Sequence, residues 1–253
     1  MAKKHQKNDS DSEGSTVDSG ISGTKMKSKT KTNGFNKLPT IRDIQVVNPD
    51  TFEPKKLKLD DEEESGGISR VGLVYKHGNG DRNLLLTCRK SINAFFRCNG
   101  VEEETYAKKN GQRTGTGKNV MKLYMDGDNP EHEKFYECLL AICAATKKRI
   151  EKDEKREVDV RIRGLYNVVD DSKKVTGHAL AARLIESGDG VVYTAAYNDE
   201  EQVDVKSVGR CVVRPALSFS YTIPEDGENY RVSVSLTQVF VVTKPLFPLR
   251  DLE

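Results

Sequence analysis

The strongest pattern in this chain is a long alternation of apolar and polar residues in its last third. Residues 210–223 (RCVVRPALSFSYTI) and residues 230–242 (YRVSVSLTQVFVV) alternate with a period of two, and the turn PEDGEN separates them. This period is typical of β-strands, so the two stretches predict a long hairpin. Pro215 cannot donate a backbone hydrogen bond, which predicts a bend or an edge in the first strand.

The middle of the chain predicts one long helix, over residues 129–151. Asn129 is a favourable N-cap, Pro130 suits the first helical position, and apolar residues such as Phe135, Leu139 and Ile142 recur every three or four positions. His132, in the first turn, is expected to be exposed. The helix should therefore pack one apolar face on a sheet.

Short strands are predicted around this helix. The first hairpin is expected from 71–76 to 83–88 through the turn Gly78-Asn79-Gly80-Asp81. Further strands are predicted at 41–47, 55–59, 91–98, 119–125, 157–163, 165–169 and 191–197. Residues 60–67 are expected to form an acidic loop, and residues 178–186 a short helix. Runs of strands around one helix predict an α+β, mainly antiparallel fold, as a barrel or a curved sheet.

Charge and composition separate a tail from a body. Hydrophobic residues make up 36% of the 253 residues. Residues 1–36 have few apolar side chains, so we expect a disordered basic tail and one globular β-rich domain over 40–253. Residues 1–40 hold eight lysines and four acidic residues, whereas the chain as a whole has a net charge of +2. The body is thus close to neutral, and any binding of nucleic acid by it must use a local patch.

The cysteines and the apolar runs indicate the cellular environment. The five cysteines include no C-x-x-C pair, which predicts reduced thiols in an intracellular protein. The longest apolar run, 138–145, is much shorter than the roughly 20 residues that a membrane helix needs. No signal peptide is predicted at the N-terminus. We therefore expect a reducing compartment and no membrane partner.

A Gly-rich segment at 111–119 (GQRTGTGKN) is the first candidate site. It resembles a P-loop, but Gln112 stands where the first glycine belongs and Asn119 where magnesium needs Ser or Thr. We interpret it as a flexible loop. The surrounding window, 108–122, has no acidic residue, so it either clamps a phosphate backbone or is an exposed loop without a partner. Its five cations are Lys108, Lys109, Arg113, Lys118 and Lys122.

Two further groups are candidates for single-stranded nucleic acid. Residues 89–97 (RKSINAFFR) interleave aromatic and basic residues, which suits base stacking and phosphate contact. A strand exposes one of two neighbours, so at least one of Phe95 and Phe96 is expected to be core. The second group consists of residues on alternating strands that could line one face of a curved sheet. The competing interpretation is that they are the ordinary solvent-facing residues of an antiparallel sheet. The candidates are Arg89, Lys90, Phe95, Phe96 and Arg97 in the first group, and Arg161, Arg163, Arg214 and Tyr221 in the second.

Metal, cofactor and catalytic chemistry find little support in the sequence. The four histidines are scattered, and none has a second histidine or a cysteine at ligand spacing. Cys138 and Cys143 lie on or beside the apolar helix face, as small core residues do. We therefore expect no cofactor, no metal site and no enzymatic activity.

The order of several short motifs resembles one known family. The strand PKKLKL (54–59) leads to an acidic, Gly-containing loop, then LVY (73–75) and LLLT (84–87), and KLYMD (122–126) precedes Pro130 and Phe135. Over residues 50–150 this resembles the single-stranded-DNA-binding-like proteins of nucleocytoplasmic large DNA viruses. That resemblance implies an OB-like β-barrel that serves genome replication or repair. The Gln-Thr-Pro that the family tends to have after the Leu-rich strand is reduced here to Thr87.

Two functions follow as hypotheses. The first is a non-catalytic protein that binds single-stranded DNA, and RNA as an open alternative, in viral DNA replication or repair. The second is a virion structural or scaffold protein that binds replication or virion proteins, which the near-neutral body and the acidic segments 60–64 and 102–104 favour. For either, the expected location is the host nucleus or cytoplasm, or the virion. The oligomeric state is left open.

Overall fold

The computed structural model describes residues 45–65, 67–107, 112–198, 201–225 and 227–242. The predicted tail at 1–36 and the predicted domain start at 40 lie outside these residues, so both domain limits stay predictions. Most of the predicted strand 41–47 also lies outside. Within the described part, Val47 forms an isolated parallel bridge with Leu86.

The described residues form fourteen strands and one long helix. The helix is α1, Pro130–Glu154. In chain order, the strands are β1 (Leu57–Ser65), β2 (Ile68–His77), β3 (Gly80–Asn83), β4 (Leu85–Thr87), β5 (Phe96–Cys98), β6 (Val101–Ala107), β7 (Arg113–Asp126), β8 (Asp159–Ile162), β9 (Leu165–Val169), β10 (Val175–Leu184), β11 (Ala195–Asn198), β12 (Glu201–Val203), β13 (Cys211–Thr222) and β14 (Asn229–Val242).

Five of these strands close into a barrel. Each strand pairs with the next around the ring β5, β7, β10, β14, β13, and β13 returns to β5. If the five barrel strands are numbered 1 to 5 along the chain, their order around the ring is 1-2-3-5-4. The contact between the third strand, β10, and the fifth, β14, is parallel. The predicted α+β fold with an OB-like barrel is confirmed. The strands β8 and β11 also pair with β14 in parallel, so the described sheet is mainly but not wholly antiparallel.

The predicted hairpin at the end of the chain forms two walls of this barrel. From Val212 opposite Val242 to Thr222 opposite Arg231, β13 and β14 pair along nearly their full length. Pro215 stays inside β13, and the register shifts directly after it, between Ala216 and Leu217. Such a bulge bends a strand, as Pro215 predicts.

The helix forms as predicted and ends three residues later. The Asn129 side chain accepts a hydrogen bond from the Glu131 N–H at 3.0 Å, which caps the first turn. Phe135, Leu139 and Ile142 are buried in the same core as the inner faces of the strands. The helix ends at Glu154, because the next residue, Lys155, has a left-handed backbone conformation. None of the helices in the described ranges is long and apolar enough to span a membrane.

Three predicted elements are wrong. The acidic loop at 60–67 is largely the second half of β1, an edge strand where the acidic side chains of 60–64 stay in water. The predicted helix at 178–186 is mostly β10, because its small residues fit the barrel wall and tertiary packing overrides their helical preference. The predicted loop at 108–122 belongs largely to β7, which pairs with β6 as one long arm.

Candidate nucleic-acid interface

A cation lies between two aromatic rings on the outer wall of the barrel. Arg214 is on β13, directly opposite Phe240 on β14, and both point away from the core because Val213 and Val241 point into it. The Arg214 Cζ is 5.5 Å from the centroid of the Phe240 ring and 6.0 Å from that of Phe95. These distances suit cation–π attraction.

Arg214 has no carboxylate partner in the part of the chain that the structure describes. Within the described ranges, its guanidinium has no carboxylate within ion-pair distance, and its buried Nε has no hydrogen-bond acceptor. A guanidinium carries five donors, so most of its hydrogen-bonding capacity is available to a ligand. Phe95 and Phe240 are half-buried, which leaves part of each ring accessible. This arrangement offers an anion a cation and offers a flat ring two stacking partners.

The same outer wall continues through two tyrosines. Tyr124 on β7 is opposite Arg97 on β5 and, on its other side, opposite Ala179 on β10. Tyr166 on β9 is opposite the far side of Ala179 and is 43% exposed. Burial raises the pKa of Tyr166, the positive charge of Lys122 lowers it by less, and Tyr124 raises it slightly. Ala179 has no large side chain to separate the two tyrosines.

These residues form one band on the outside of the barrel. Tyr197 on β11 extends it, since this residue is opposite Phe240 and is half-buried. We call the set the aromatic band: Phe95, Arg97, Tyr124, Tyr166, Tyr197, Arg214 and Phe240.

A buried histidine positions the Phe95 end of the band. His132 is 2% exposed, so its predicted exposure is wrong. Its Nδ1 accepts the Asp126 N–H at 2.9 Å, which leaves Nε2 to donate to the Phe95 carbonyl oxygen at 2.9 Å. The ring also stacks on Phe96, with 5.0 Å between centroids. Burial lowers the pKa of His132, because the charged form loses its hydration. A neutral His132 thus ties α1 to β7 and to Phe95.

Five of the nine predicted cations that the structure describes are held by carboxylates. Lys122 pairs with Glu102, which lies on the adjacent strand outside the 108–122 window, so the absence of acidic residues from that window does not leave Lys122 unpaired. Within the described ranges, Lys90, Arg113 and Lys118 are exposed and have no such partner, and Lys108 and Lys109 lie outside them. The other paired cations are Arg89 with Asp50, Arg97 with Asp126, Arg161 with Asp159, and Arg163 with Glu104.

Glu104 is the centre of an ion cluster with Arg163 and Arg183. Its carboxylate lies 2.6 Å from the Arg183 Nη2 and 3.2 Å from the Arg163 Nε. It also accepts a hydrogen bond from Thr116 Oγ1 at 3.1 Å. Burial alone would raise the pKa of Glu104, but the two arginines outweigh it and lower that pKa. The cluster fastens the β6–β7 arm to the barrel.

Three predicted site residues are misplaced for ligand contact. Phe96 is fully buried, and Tyr221 is 6% exposed and packs edge-on against Tyr230. Both point into the core because alternate residues of a strand face opposite sides. Arg161 is opposite Arg231 of β14, nine positions before Phe240, a separation of about 30 Å along a strand.

Sequence reasoning missed four members of the band: Tyr124, Tyr166, Tyr197 and Phe240. Tyr124 lies on the same face of β7 as Val120 and Lys122, opposite the core face of Met121 and Leu123. That face pattern is the one signal that could have identified it. The pairing of β9, β11 and β14 with distant strands decides the rest.

The described residues can also be examined for a metal site and for a P-loop. Within the described residues, no group of three or more His, Cys, Asp or Glu side chains could hold a metal ion. Lys118 lies within β7, and the Gly117 N–H donates to Glu103 Oε1 at 2.9 Å. The segment therefore continues as a strand, whereas a P-loop must open a helix.

Comparisons with known proteins give distant likenesses. No protein-family model matches the chain, and no curated protein matches it. A single-stranded DNA-binding protein from bacteriophage Enc34, solved in complex with ssDNA, is similar at 17% identity and a TM-score of 0.41, covering 76% of this chain and 98% of that one. The single-stranded DNA-binding protein gp2.5 of bacteriophage T7 is similar at 9% identity and a TM-score of 0.40, covering 66% and 90%. Such scores establish no common ancestry, and the resemblance to proteins of large DNA viruses stays a prediction.

Proposed function

We propose that this protein binds single-stranded DNA on the aromatic band, without catalysing a reaction. The observation that carries the proposal is Arg214, a cation without a carboxylate partner in the described ranges, between the accessible rings of Phe95 and Phe240. Single strands are bound by cations that contact phosphates and by rings on which bases stack. Both kinds of group occur here side by side, because the Arg214 guanidinium lies within about 6 Å of both ring centroids.

The position of the band on the barrel supports the same function. OB-folds bind oligonucleotides on the face of their second and third strands. Those strands correspond here to β7 and β10, where Tyr124 and Tyr166 flank Ala179. A single strand that follows the band would pass from this face to Arg214 across β5. Stacking tolerates any base, so binding is expected to show little sequence preference.

The β6–β7 arm and the tail would add electrostatic attraction. Arg113 and Lys118 are exposed on the arm, which begins at the same strand as Tyr124. The resemblance to proteins of large DNA viruses extends the proposal to viral DNA replication or repair, and RNA is a second ligand to test.

The deciding experiment is a titration of fluorescent oligothymidine with the full chain, read by anisotropy. The test variants are Phe95→Leu, Phe240→Leu and the double substitution. The matched control is Phe52→Leu, which alters a half-buried ring that lies against Tyr75, outside the band. Each lost stacking contact should weaken binding about 5- to 150-fold, since base–aromatic stacking contributes roughly 1–3 kcal/mol per base. Duplex DNA and single-stranded RNA of equal length are titrated in parallel.

Two results would refute the proposal. One is wild-type protein that binds no nucleic acid at low salt. The other is a double variant that binds as tightly as the Phe52→Leu control. In both cases the scaffold hypothesis gains, because exposed aromatic residues beside arginines are also typical of protein–protein interfaces.

A further inference from the structure

Two cysteines face each other across the barrel wall. Cys98 on β5 is directly opposite Cys211 on β13, although 113 residues separate them in sequence. Their sulfur atoms are 3.3 Å apart, and both thiols are free. Directly opposed residues of antiparallel strands have Cα atoms about 4.5–5.5 Å apart, which is within the range that disulfides span. Closing the bond to about 2.05 Å thus needs side-chain movement rather than backbone movement.

The surroundings make one of the two sulfurs the nucleophile. The Cys98 and Cys211 sulfurs share a hydrogen bond in which either can be the donor, and the backbone N–H groups of Gly100 and Cys211 also hydrogen-bond the Cys98 sulfur, so the pKa of Cys98 is lowered despite burial. The pKa of Cys211 is raised, because the hydrogen bond to Cys98 and burial both favour its protonated form. A thiolate attacks and a neighbouring thiol resolves, which is the division of roles in redox-sensitive pairs.

We propose that Cys98 and Cys211 are a redox site that a peroxide converts into a cross-strand disulfide. The Cys98 thiolate attacks one oxygen of hydrogen peroxide, the O–O bond breaks, and a proton completes the departing water. The Cys211 thiol then attacks the Cys98 sulfenic acid, forms the S–S bond and releases a second water. The two thiols lose two electrons in total, and the peroxide gains them. A thiol reductant reverses the change.

The other cysteines are a built-in comparison. Burial raises the pKa of Cys88 to about 12 and that of Cys138 to about 12, so both stay protonated and unreactive. Cys143 is half-buried, like Cys211, but its thiol donates to the Val160 carbonyl at 3.2 Å. Burial also raises the pKa of Cys143. Cys143 therefore matches Cys211 in exposure, whereas Cys98 is 1% exposed, and Cys143 has no neighbouring thiol to resolve it.

The disulfide would lock two walls of the barrel together. The next register position along the same strands holds Arg97 opposite Val212, and Arg97 belongs to the aromatic band. The bond would also close a loop of more than 100 residues in the unfolded chain. We expect it to raise the thermal midpoint by roughly 5–15 °C. This proposal does not depend on the ligand of the band.

The test treats the native full chain with hydrogen peroxide, quenches it, unfolds it and labels the remaining thiols with a maleimide. We expect two fewer labels than in the reduced protein, and a linked Cys98–Cys211 peptide by mass spectrometry of the unreduced digest. Labelling should return to the starting value after a thiol reductant. The Cys143→Ser control should lose the same two labels on oxidation, whereas Cys211→Ser should stop at a sulfenic acid on Cys98.

Wild-type peptide mapping makes the proposal falsifiable even if a cysteine variant fails to fold. It is overturned if peroxide leaves all thiols labelled, if Cys98 becomes over-oxidised without forming the cross-link, or if Cys98 pairs with another cysteine instead. The rate gives a second test. Oxidation of Cys98 should level off at a lower pH than labelling of Cys143, because its thiolate forms at a lower pH.

Discussion

Arg214 and Phe240 are directly opposite each other across the β13–β14 ladder, with the Arg214 Cζ 5.5 Å from the centre of the ring. The side chain of Arg214 therefore supplies charge and a flat surface at the same place. A lysine could supply the charge but not the planar stacking. This difference separates the electrostatic role of Arg214 from its packing role.

The first prediction uses that difference. Arg214→Ala should weaken binding of a single strand and reduce the slope of log affinity against log salt by about 0.7, the value for one phosphate contact. Arg214→Lys should keep the slope but still weaken binding, since the planar contact with Phe95 and Phe240 is lost. Anisotropy titrations at four salt concentrations measure both quantities. Arg161→Ala, which removes a distant cation that is 80% exposed, is the control and should change neither.

The second prediction concerns Lys122, which Glu102 holds in an ion pair. Glu102→Gln should free Lys122 to contact a phosphate. We expect tighter binding and a salt slope steeper by about 0.7. Lys122→Ala in the Glu102→Gln background should cancel this gain. An unchanged slope in Glu102→Gln would mean that Lys122 does not face the bound strand.

The third prediction is a pH-dependent stability set by Glu104. Its pKa is lower when folded than when unfolded, so its contribution is fully present above the unfolded pKa of about 4.3 and is lost as the pH falls through the folded value. At pH 7, Glu104→Gln should lower the free energy of unfolding by about 1–3 kcal/mol, because Arg163 and Arg183 lose their shared partner.

Urea unfolding at several pH values tests this prediction. The difference between wild type and Glu104→Gln should shrink steadily below about pH 4.3. Glu103→Gln is a suitable comparison, since Glu103 is exposed and its carboxylate accepts a backbone N–H rather than an arginine. A constant difference down to pH 2.5 would contradict the role of the Glu104 charge.

The fourth prediction concerns His132. Its folded pKa is depressed, so the unfolded chain takes up a proton first as the pH falls below about 6.5, and stability should decline from there until the folded pKa is reached. His132→Ala should cost about 2–4 kcal/mol through lost packing and two lost hydrogen bonds. The same substitution should flatten the pH dependence between pH 5 and 7. His178, which bonds Asn167 and stacks on Tyr136, serves as the control histidine.

The sequence alone determined most of the elements and which side of each strand is buried. The alternation in residues 210–242 corresponds to β13 and β14, and the capping residue Asn129 marks the start of α1. Both signals are local, because strand and helix periods depend on residues within a few positions of each other. The expectation that at least one of Phe95 and Phe96 is core is met by Phe96, whereas Phe95 lies just before β5 and is half-buried against the core.

Local rules also explain the failures. The acidic run 60–64 has low strand preference, yet β1 forms because pairing with β2 supplies its hydrogen bonds and its position at the sheet edge keeps the charges in water. Residues 178–184 have helix-forming composition, but Leu180, Ala182 and Leu184 fill the barrel core on alternate positions. In both cases the decisive contacts come from strands far away in sequence.

The tertiary structure alone decided what the outer wall of the barrel presents. Strand register placed Arg214 between Phe95 and Phe240, which lie 119 and 26 positions away in sequence. It also brought Cys98 to Cys211, and Glu102 and Glu104 to the cations that they neutralise. Composition counts charges but does not pair them, because pairing depends on which strands become neighbours when the barrel closes. For that physical reason the sequence shows that the chain is close to neutral. Only the fold shows which few cations have no partner among the described residues.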